Sequence, residues 1–273
     1  MLGLARSGVA EGLWLRAERQ SSGRGRQGRA WVSPVGNLSA STLVRLRATD
    51  PQAATLALVA AVALEEAVAV YLKPLPLRRG VGVGPIRESP HRHLRHGPTP
   101  NPASGRSGPR PDLNRMGRGS PDAPEGEGLK ALLKWPNDLL IDGAKVSGIL
   151  LERADDAVVI GIGVNLAHHP EGLERPTTSL AAQGVTPDPA EFLETLAECF
   201  ARWLSRWRGE GIAPVRARWL ERAHPIGTAL TAALPDGSAV DGLFQGLDAD
   251  GALILRLADG TARVIHAADV FLI

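Results

Sequence analysis

A long segment rich in proline and glycine divides this 273-residue chain into two parts. Eleven of the 21 prolines and ten of the 31 glycines fall between Pro74 and Gly128, where apolar residues show almost no periodicity. Such a composition buries too little apolar surface to offset the entropy lost on ordering. We therefore predict an unstructured insertion at 74–128, and we favour disorder over a metal site for its His91, His93 and His96. Any folded core must come from residues 1–73 and 129–273.

The part before the insertion predicts a strand, a loop and a buried helix. Residues 13–17 alternate between apolar and polar, as a short strand does, and residues 20–30 are dense in glycine and arginine. Pro51, preceded by Thr49 and Asp50, is typical of a helix start, and the mostly apolar stretch Ala53–Leu72 continues as a helix. Its longest apolar run stops at Glu65, short of the roughly 18 residues that a membrane span needs.

The part after the insertion predicts strands, one long helix and a small all-β unit. Residues 129–134, 139–141 and 146–152 surround an Asp-Gly turn, which indicates a hairpin. Residues 158–166 form an apolar strand interrupted by two glycines, which indicates that a ligand approaches the backbone there. A helix begins at Asp188 and Pro189. From Gly227 onward, short strands alternate with Asp-Gly turns, a pattern that predicts a small barrel.

Composition favours a soluble globular protein. Hydrophobic residues make up 44% and charged residues 22%. The pI near 9.0 is a local effect, because residues 74–128 carry nine arginines against five acidic residues while the whole chain has a net charge of +2. The first residues lack the plan of a signal peptide, so we expect a cytoplasmic protein that does not associate with membranes. Cys199 is the only cysteine, which excludes an intrachain disulfide.

The first candidate motif is the Gly-Arg-Gly-Arg-Gln-Gly sequence at 23–28. It satisfies the glycine spacing of dinucleotide-binding turns, but the Trp31, Val32 and Pro34 that follow are poor material for the helix such a turn must open. Six residues are also too few for an arginine-glycine RNA-binding tract. We favour a mobile loop whose guanidinium groups fold over an anionic ligand.

The second candidate motif is Lys-Trp-Pro-Asn-Asp at 134–138, followed by Lys145 and Gly148. The chain has four lysines against 27 arginines, so a lysine on a predicted hairpin calls for an explanation. One explanation is a compact point charge on a reacting phosphate, and the alternative is an ordinary solvated lysine.

Together these motifs resemble those of biotin protein ligases. The resemblance is carried, in order, by four groups of residues: Gly23–Gly28 with Trp31, Ser33, Pro34, Gly36, Asn37 and Leu38; Lys134–Asp138; Lys145 with Gly148, Ile149, Leu150 and Glu152; and Gly161–Asn165. It covers about residues 1–73 and 129–273. It implies an α/β (α+β) fold, with a mixed sheet and flanking helices like those of class II aminoacyl-tRNA synthetases and lipoate ligases. It also implies a catalytic domain at 1–222 and an SH3-like barrel at 223–273.

The resemblance implies a ligase that uses ATP and Mg²⁺ to form biotinyl-5'-AMP and then biotinylates a lysine of a biotin carboxyl carrier domain. Joining two anions requires cations, and the matching residues are Arg26 and Lys145, the two catalytic candidates. The implied positions for biotin and the adenylate are Gln20, Gly23, Arg24, Gly25, Trp31, Lys134, Asn137, Gly148 and Asn165. Asp138 matches the Mg²⁺ side, although Asp138 and Asn137 could instead cap a turn, and Trp31 could instead be core.

The sequence also departs from the family pattern and leaves alternative functions open. Family members usually carry a helix and a Ser-Thr-Asn-like segment ahead of the arginine loop, and this chain is expected to lack that segment and any DNA-binding domain. We therefore expect no specific DNA binding, and an edge strand could pair two subunits as a homodimer. The alternative functions are a lipoate-type ligase and a degenerate, non-catalytic homologue that binds a nucleotide or RNA through its basic insertion.

Overall fold

The computed structural model describes residues 1–72, 131–173 and 175–272. The predicted insertion at 74–128, with its three histidines, lies outside the described residues. The helices of the described part are α1 Leu2–Arg6, α2 Leu56–Leu72, α3 Pro189–Glu210 and α4 Ala213–Glu221. Its strands are β1 Trp14–Ala17, β2 Gly23–Arg24, β3 Ala30–Trp31, β4 Leu38–Arg45, β5 Ala131–Lys134, β6 Asp138–Ile141, β7 Ala144–Ala154, β8 Ala157–Val164, β9 Ala229–Ala233, β10 Ala239–Leu247, β11 Leu253–Arg256, β12 Ala262–Ile265 and β13 Asp269–Leu272.

A six-stranded sheet organises the larger part of the molecule. Its strand order is β1-β4-β8-β7-β6-β5, and the pairings between these strands are antiparallel. Parallel bridges join Leu133 to Ala223 and Lys145 to Thr177 at its margins. The central strands β4, β7 and β8 are rich in β-branched and aliphatic residues, which suits strands that are covered by protein. The predicted fold class, α/β with flanking helices and a small C-terminal β unit, is confirmed. The sheet was predicted to be mixed, and within the described residues its parallel component is limited to these two isolated bridges.

The apolar helix α2 forms the centre of the core. The segment Ala53–Leu72, with mean hydropathy 1.9, is long and apolar enough to cross a membrane by length and composition. The sequence analysis counted only the apolar run that stops at Glu65 and so gave a shorter segment. Eleven residues of α2 are buried against the rest of the protein. They include Glu65, whose carboxylate pairs with Arg218 and Arg222. The packing explains the hydropathy, because a helix covered on nearly all sides must be apolar on nearly all sides.

Helix α3 covers α2 with one apolar face. Its cap is as predicted: the Asp188 side chain accepts hydrogen bonds from the backbone N–H groups of Ala190 and Glu191. The side chains that repeat at intervals of three or four are buried: Phe192, Leu196, Cys199, Phe200, Trp203 and Trp207. Trp207 Nε1 donates to Thr55 Oγ1 at 2.8 Å, which locks α3 to the segment that leads into α2.

The C-terminal residues form a second antiparallel sheet of the order β12-β11-β10-β9-β13. The predicted Asp-Gly turns are present, with φ of +85° at Gly237, +82° at Gly251 and +85° at Gly260, a region that glycine enters without strain. Trp219 of α4 meets Phe244 of β10 edge to face, with ring centres 6.5 Å apart. Buried residues of both sheets therefore belong to one continuous hydrophobic core.

Candidate active site

A cleft of about 960 Å³ lies over the six-stranded sheet. Its floor comes from β4, β7 and β8, and one wall comes from the segment that contains β2 and β3. Residues 170–177 and the last strand, β13, complete the rim. The cleft therefore lies where the motif at 23–28 meets the second motif, which includes Lys145 and Gly148.

Glycines on β7 and β8 leave part of the cleft floor as bare backbone. Gly148 and Gly163 are register partners, and the indole of Trp31 lies directly on them. A methyl group at Gly163 would come within 2.5 Å of Trp31 Cε2 and Nε1, a distance that non-bonded atoms do not tolerate. A methyl at Gly148 would lie 3.5 Å from Trp31 Cζ3 and 3.3 Å from Lys145 Nζ. Glycine at 163 is therefore a requirement of the site's geometry.

The arginine-rich segment forms a short hairpin, which we call the arginine hairpin, of residues 23–31. Gly23 pairs with Trp31 and Arg24 pairs with Ala30, and the Gly25 N–H donates to Arg29 O at 2.7 Å. A side chain at Gly23 would collide with Trp31 O and with Gln20 Oε1. The sequence predicted a mobile loop here. In the structure these residues pair as a hairpin, and Arg24, Gly25 and Arg26 line the cleft, as does Gln20 just before the hairpin.

Two lysines and one aspartate form the charged end of the cleft. Lys145 Nζ is 2.5 Å from Asp138 Oδ1, and Lys134 Nζ is 3.4 Å from Asp138 Oδ2. Lys145 also lies 5.8 Å from the centre of the Trp31 ring. Its side chain is 27% exposed and faces the cleft, so its charge is available to a bound anion.

Lys134 lies behind Asp138, away from the cleft. It lines a small internal cavity of about 10 Å³ together with Trp135, His224 and residues of the second sheet. Burial lowers the pKa of the Lys134 ammonium, and the neighbouring Asp138 carboxylate opposes that shift. Its position makes Lys134 a support for Asp138.

Arg26 reaches from the hairpin to the second sheet. Its Nη1 donates to Ala268 O at 3.0 Å and lies 3.4 Å from Asp269 Oδ1. Burial lowers the pKa of its guanidinium, while the charge of Asp138 acts in the opposite direction. Arg29 forms an ion pair with the other oxygen of Asp269.

Two asparagines border the cleft and differ in how their polar atoms are used. Asn137 Nδ2 donates to Ile149 O at 2.5 Å, so this side chain ties the turn between β5 and β6 to β7. Asn165, 2% exposed, donates from Nδ2 to Thr178 O at 3.0 Å. Its buried Oδ1 has no hydrogen-bond partner among the residues that the structure describes. A buried acceptor without a partner is costly unless a ligand supplies the donor.

Several cleft residues escaped the sequence analysis. Asp269 and Phe271 lie on β13, in the part of the chain predicted to be a barrel. The alternating pattern of that part does not indicate that β13 lines the cleft. Arg175 stacks on Phe271, with its guanidinium carbon 3.9 Å from the ring centre. Ser39 and Ser41 lie on β4, on the cleft floor, in a segment that shows only a strand-like sequence. Only Arg29 carried a signal, because it continues the arginine-rich segment.

The arrangement suits an elongated ligand with a flat ring and an anionic group. Glycine backbone, Trp31 and aliphatic side chains such as Ile149 and Leu150 offer an apolar surface, while Arg24, Arg26 and Lys145 offer positive charge at the same cleft. Cations held in place beforehand can bring two anionic groups together, since they cancel the repulsion between them.

Comparisons with known proteins agree on one family. A sequence profile described as the biotin/lipoate A/B protein ligase family matches residues 7–165, and a second profile of the same description matches residues 128–221. A profile for the biotin protein ligase C terminal domain matches residues 226–273.

Similar sequences include two enzymes named biotin--[acetyl-CoA-carboxylase] ligase. The one from Paracoccus denitrificans is 35% identical over 275 residues, covering 97% of this chain and 92% of that protein. The one from Mycobacterium tuberculosis is 28% identical over 274 residues, covering 99% and 83%.

Similar solved structures include a biotin protein ligase from Aquifex aeolicus in complex with biotin and ATP. It has a TM-score of 0.71 at 21% identity, and the match covers 99% of this chain and 94% of that one. A biotin protein ligase from Leishmania major in complex with biotinyl-5-AMP has a TM-score of 0.53 at 21% identity, covering 97% and 94%. These likenesses establish the fold.

Proposed function

Because the chain belongs to the biotin/lipoate A/B protein ligase family, we propose that it is an ATP-dependent biotin–protein ligase. It joins biotin to the AMP part of ATP and passes biotin to a lysine of a biotin carboxyl carrier domain. The observation that carries this proposal is the meeting of Lys145, Trp31 and the glycine floor at one cleft. There a cation stands next to a flat apolar surface of the kind that an acyl adenylate needs.

In the first reaction a carboxylate oxygen of biotin attacks the α-phosphorus of ATP. A bond between that oxygen and phosphorus forms, the bond to the β-phosphate oxygen breaks, and pyrophosphate leaves. Arg26 and Lys145 are the proposed catalytic residues, since both are cations that line the cleft, and Lys145 also pairs with Asp138. Their charges lower the repulsion between carboxylate and phosphate and stabilise the charge that develops at phosphorus.

Other residues hold the two ends of the adenylate. For biotin we assign Gln20, Gly23, Arg24, Gly25, Trp31 and Gly148, which line the cleft or build the hairpin beside it. For the nucleotide we assign Asn165, whose buried Oδ1 awaits a donor such as an amino or hydroxyl group. Lys134 supports this side from behind, because it pairs with Asp138. Asn137 borders the cleft and ties the turn before Asp138 to β7.

Mg²⁺ accompanies ATP, and the carboxylate of Asp138 is the group that we propose for it. Among the residues that the structure describes, no cluster of three or more His, Cys, Asp and Glu side chains is arranged to hold a metal ion. One carboxylate beside the triphosphate fits Mg²⁺, which keeps several waters and takes phosphate oxygens as ligands. The ion would neutralise phosphate charge. The two oxygens of Asp138 pair with Lys145 and Lys134, so a bound Mg²⁺ would share this carboxylate with the two lysines.

In the second reaction the amine of the carrier lysine attacks the biotinyl carbonyl carbon. An amide bond forms, the bond to the AMP oxygen breaks, and the amine loses a proton. The carrier of a biotin-dependent carboxylase is the proposed partner.

We also propose a cytoplasmic location, a division of the chain into 1–222 and 223–273, and a homodimer in which the edge strand β1 pairs with its copy. Exposed Leu13 and Leu15, 42% and 48% accessible, stand at that edge.

One assay tests the proposed function against its alternatives. The purified chain is incubated with Mg-ATP, a biotin carboxyl carrier domain and either biotin or lipoate, and product is read by mass and by streptavidin. With biotin we expect a biotinylated carrier and pyrophosphate release, and with lipoate we expect neither. Modification by lipoate would favour the lipoate-type ligase. Binding of ATP without pyrophosphate release from either acid would favour the non-catalytic homologue.

A further inference from the structure

The last strand, β13, contacts both segments that border the cleft. Among the strands that the structure describes it is an edge strand, paired with β9 in the five-stranded sheet. An edge strand keeps backbone groups available to other partners. Here Ala268 O, next to the strand, accepts a hydrogen bond from Arg26 Nη1 at 3.0 Å. The free side of the second sheet therefore faces the arginine hairpin.

Side chains on β13 alternate between the second sheet's core and the cleft. Val270 is 2% exposed and packs into the hydrophobic core, whereas Asp269 and Phe271, one position to either side, both line the cleft. Asp269 pairs with Arg26 and Arg29, and Phe271 lies under Arg175. Two adjacent cleft-facing positions thus contact the two opposite borders of the cleft.

The charge of Asp269 is what allows two arginines to stand together. Its carboxylate side chain is 11% exposed, and a buried charge of this kind persists only with partners. Arg26 and Arg29 repel each other, and the carboxylate between them removes that repulsion. Without it the hairpin would lose an ion-paired anchor, and Arg26 would lose a contact that fixes its direction.

We propose that β13 is part of the active site, with Asp269 and Phe271 acting as positioning residues that hold the arginine hairpin and Arg175 over the bound adenylate. Neither residue needs to touch a reacting atom. Asp269 acts through Arg26 and Arg29, and Phe271 acts through Arg175. The second sheet thereby holds groups that form the adenylate, and an arginine hairpin held in place should also keep water from the mixed anhydride. This inference rests on the proposed function for its catalytic part.

The test compares Asp269→Asn, Asp269→Glu and the matched control Asp259→Asn in the full chain. Asp259 lies in the turn between β11 and β12, at the opposite edge of the same sheet, and bonds only within that turn. For Asp269→Asn we expect kcat/KM for pyrophosphate release to fall by about 10- to 100-fold, as misplaced catalytic groups cause. We also expect more biotin to be lost by adenylate hydrolysis per carrier modified. Asp269→Glu should lower kcat/KM less and lose less biotin to hydrolysis than Asp269→Asn. Asp259→Asn should match the wild type in both.

A second measurement reports the hairpin without any catalysis. Limited trypsin digestion, with cleavage after Arg24, Arg26 and Arg29 followed by mass spectrometry, should proceed faster in Asp269→Asn and at the wild-type rate in Asp259→Asn. Phe271→Leu keeps the apolar bulk but removes the ring beneath Arg175. It should lower kcat/KM about 2- to 5-fold, the value of one cation–π contact.

The outcomes separate this inference from the proposed function. A wild-type chain that releases no pyrophosphate with biotin overturns the proposed function, and the digestion experiment still decides whether Asp269 anchors the hairpin. An active wild type with an Asp269→Asn variant of equal or higher kcat/KM overturns the positioning role. So does an Asp269→Asn variant whose hairpin is cleaved at the wild-type rate.

Discussion

At the scale of single residues, the contact between Gly163 and Trp31 explains why the cleft floor lacks side chains. The indole lies where any Cβ at position 163 would be, 2.5 Å from two of its ring atoms. We expect Gly163→Ala to displace Trp31, lower the melting temperature and weaken biotin binding. In a Trp31→Ala background the same substitution should change the melting temperature far less, because the clash is gone.

A matched control for that cycle lies two residues away. A methyl at Gly161 would meet Leu150 O at 3.8 Å and Ser41 Oγ at 3.9 Å, which is ordinary contact. Gly161→Ala should therefore give the same change in melting temperature with Trp31 present or absent. Equal effects of Gly163→Ala in both backgrounds would show that Trp31 does not set the requirement for glycine.

Lys145 gives the second prediction at this scale. Replacing Lys145 with Ala should reduce the rate of adenylate formation by about 100-fold or more, because a fixed cation at phosphorus contributes several kcal/mol to the transition state. The readout is pyrophosphate release at saturating biotin and ATP. Arg153→Gln is the control: it removes a cation from the same strand, but that cation is exposed and bonds to Asp155 O. A Lys145→Ala enzyme with near-normal rate would remove Lys145 from the catalytic assignment.

The sequence predicted the cleft residues that lie within local motifs and missed those brought in from afar. Arg26, Lys145 and Gly148 could be named because each belongs to a short pattern with a chemical meaning. Asp269 is 243 residues from Arg26 along the chain, and its role depends on how one sheet packs beside another. No local periodicity carries that information. The same limit applies to Phe271 and Arg175.

At the scale of elements, Glu11 joins three parts of the fold. It lies in the turn before β1, receives a two-pronged bond from Arg208 of α3 at 2.6 and 2.9 Å, and accepts from the backbone N–H of Arg45 at the end of β4. The Arg208 hydrogen bonds are the main reason that the pKa of Glu11 lies below its ordinary value. Burial acts against this shift.

This lowered pKa predicts how acid affects stability. A carboxyl group whose pKa is lowered by folding adds stability above its unfolded pKa, and that stability is lost as pH falls through the folded pKa. Glu11→Gln should lower the free energy of unfolding by about 1 to 2 kcal/mol at pH 7. The difference from wild type should shrink below about pH 4. Urea unfolding of both proteins across this range measures it, and a difference that does not change with pH would contradict the prediction.

Helix and strand patterns were good predictors of the elements themselves. The alternating and apolar runs gave β1, the β6–β7 hairpin and β8, and the Asp188 cap gave the start of α3. The start of α2 was predicted too early, because Pro51 precedes a short 3-10 turn and the α-helix begins only at Leu56. The arginine hairpin was read as a loop, because two-residue strands leave no periodicity to detect.

At the scale of the whole molecule, the insertion at 74–128 interrupts the chain without interrupting the core. Residues 1–73 and 128–273 belong to one unit, in which α2 packs on β5, β6 and β7. Replacing residues 76–125 with a short glycine-serine linker should leave the melting temperature nearly unchanged. The reason is that each doubling of loop length costs only about 0.6 kcal/mol of closure entropy. Calorimetry of both proteins checks it, and a large drop would show that the segment stabilises the fold.

The position of β13 also matters for anyone who attaches something to this enzyme. A tag or fusion partner attached directly to β13 would lie next to Phe271, which lines the cleft that a carrier domain has to reach. Such an addition would compete for space with the incoming lysine. A protein tagged there would modify its carrier more slowly because of the tag. A tag inserted within residues 76–125 would leave β13 unchanged.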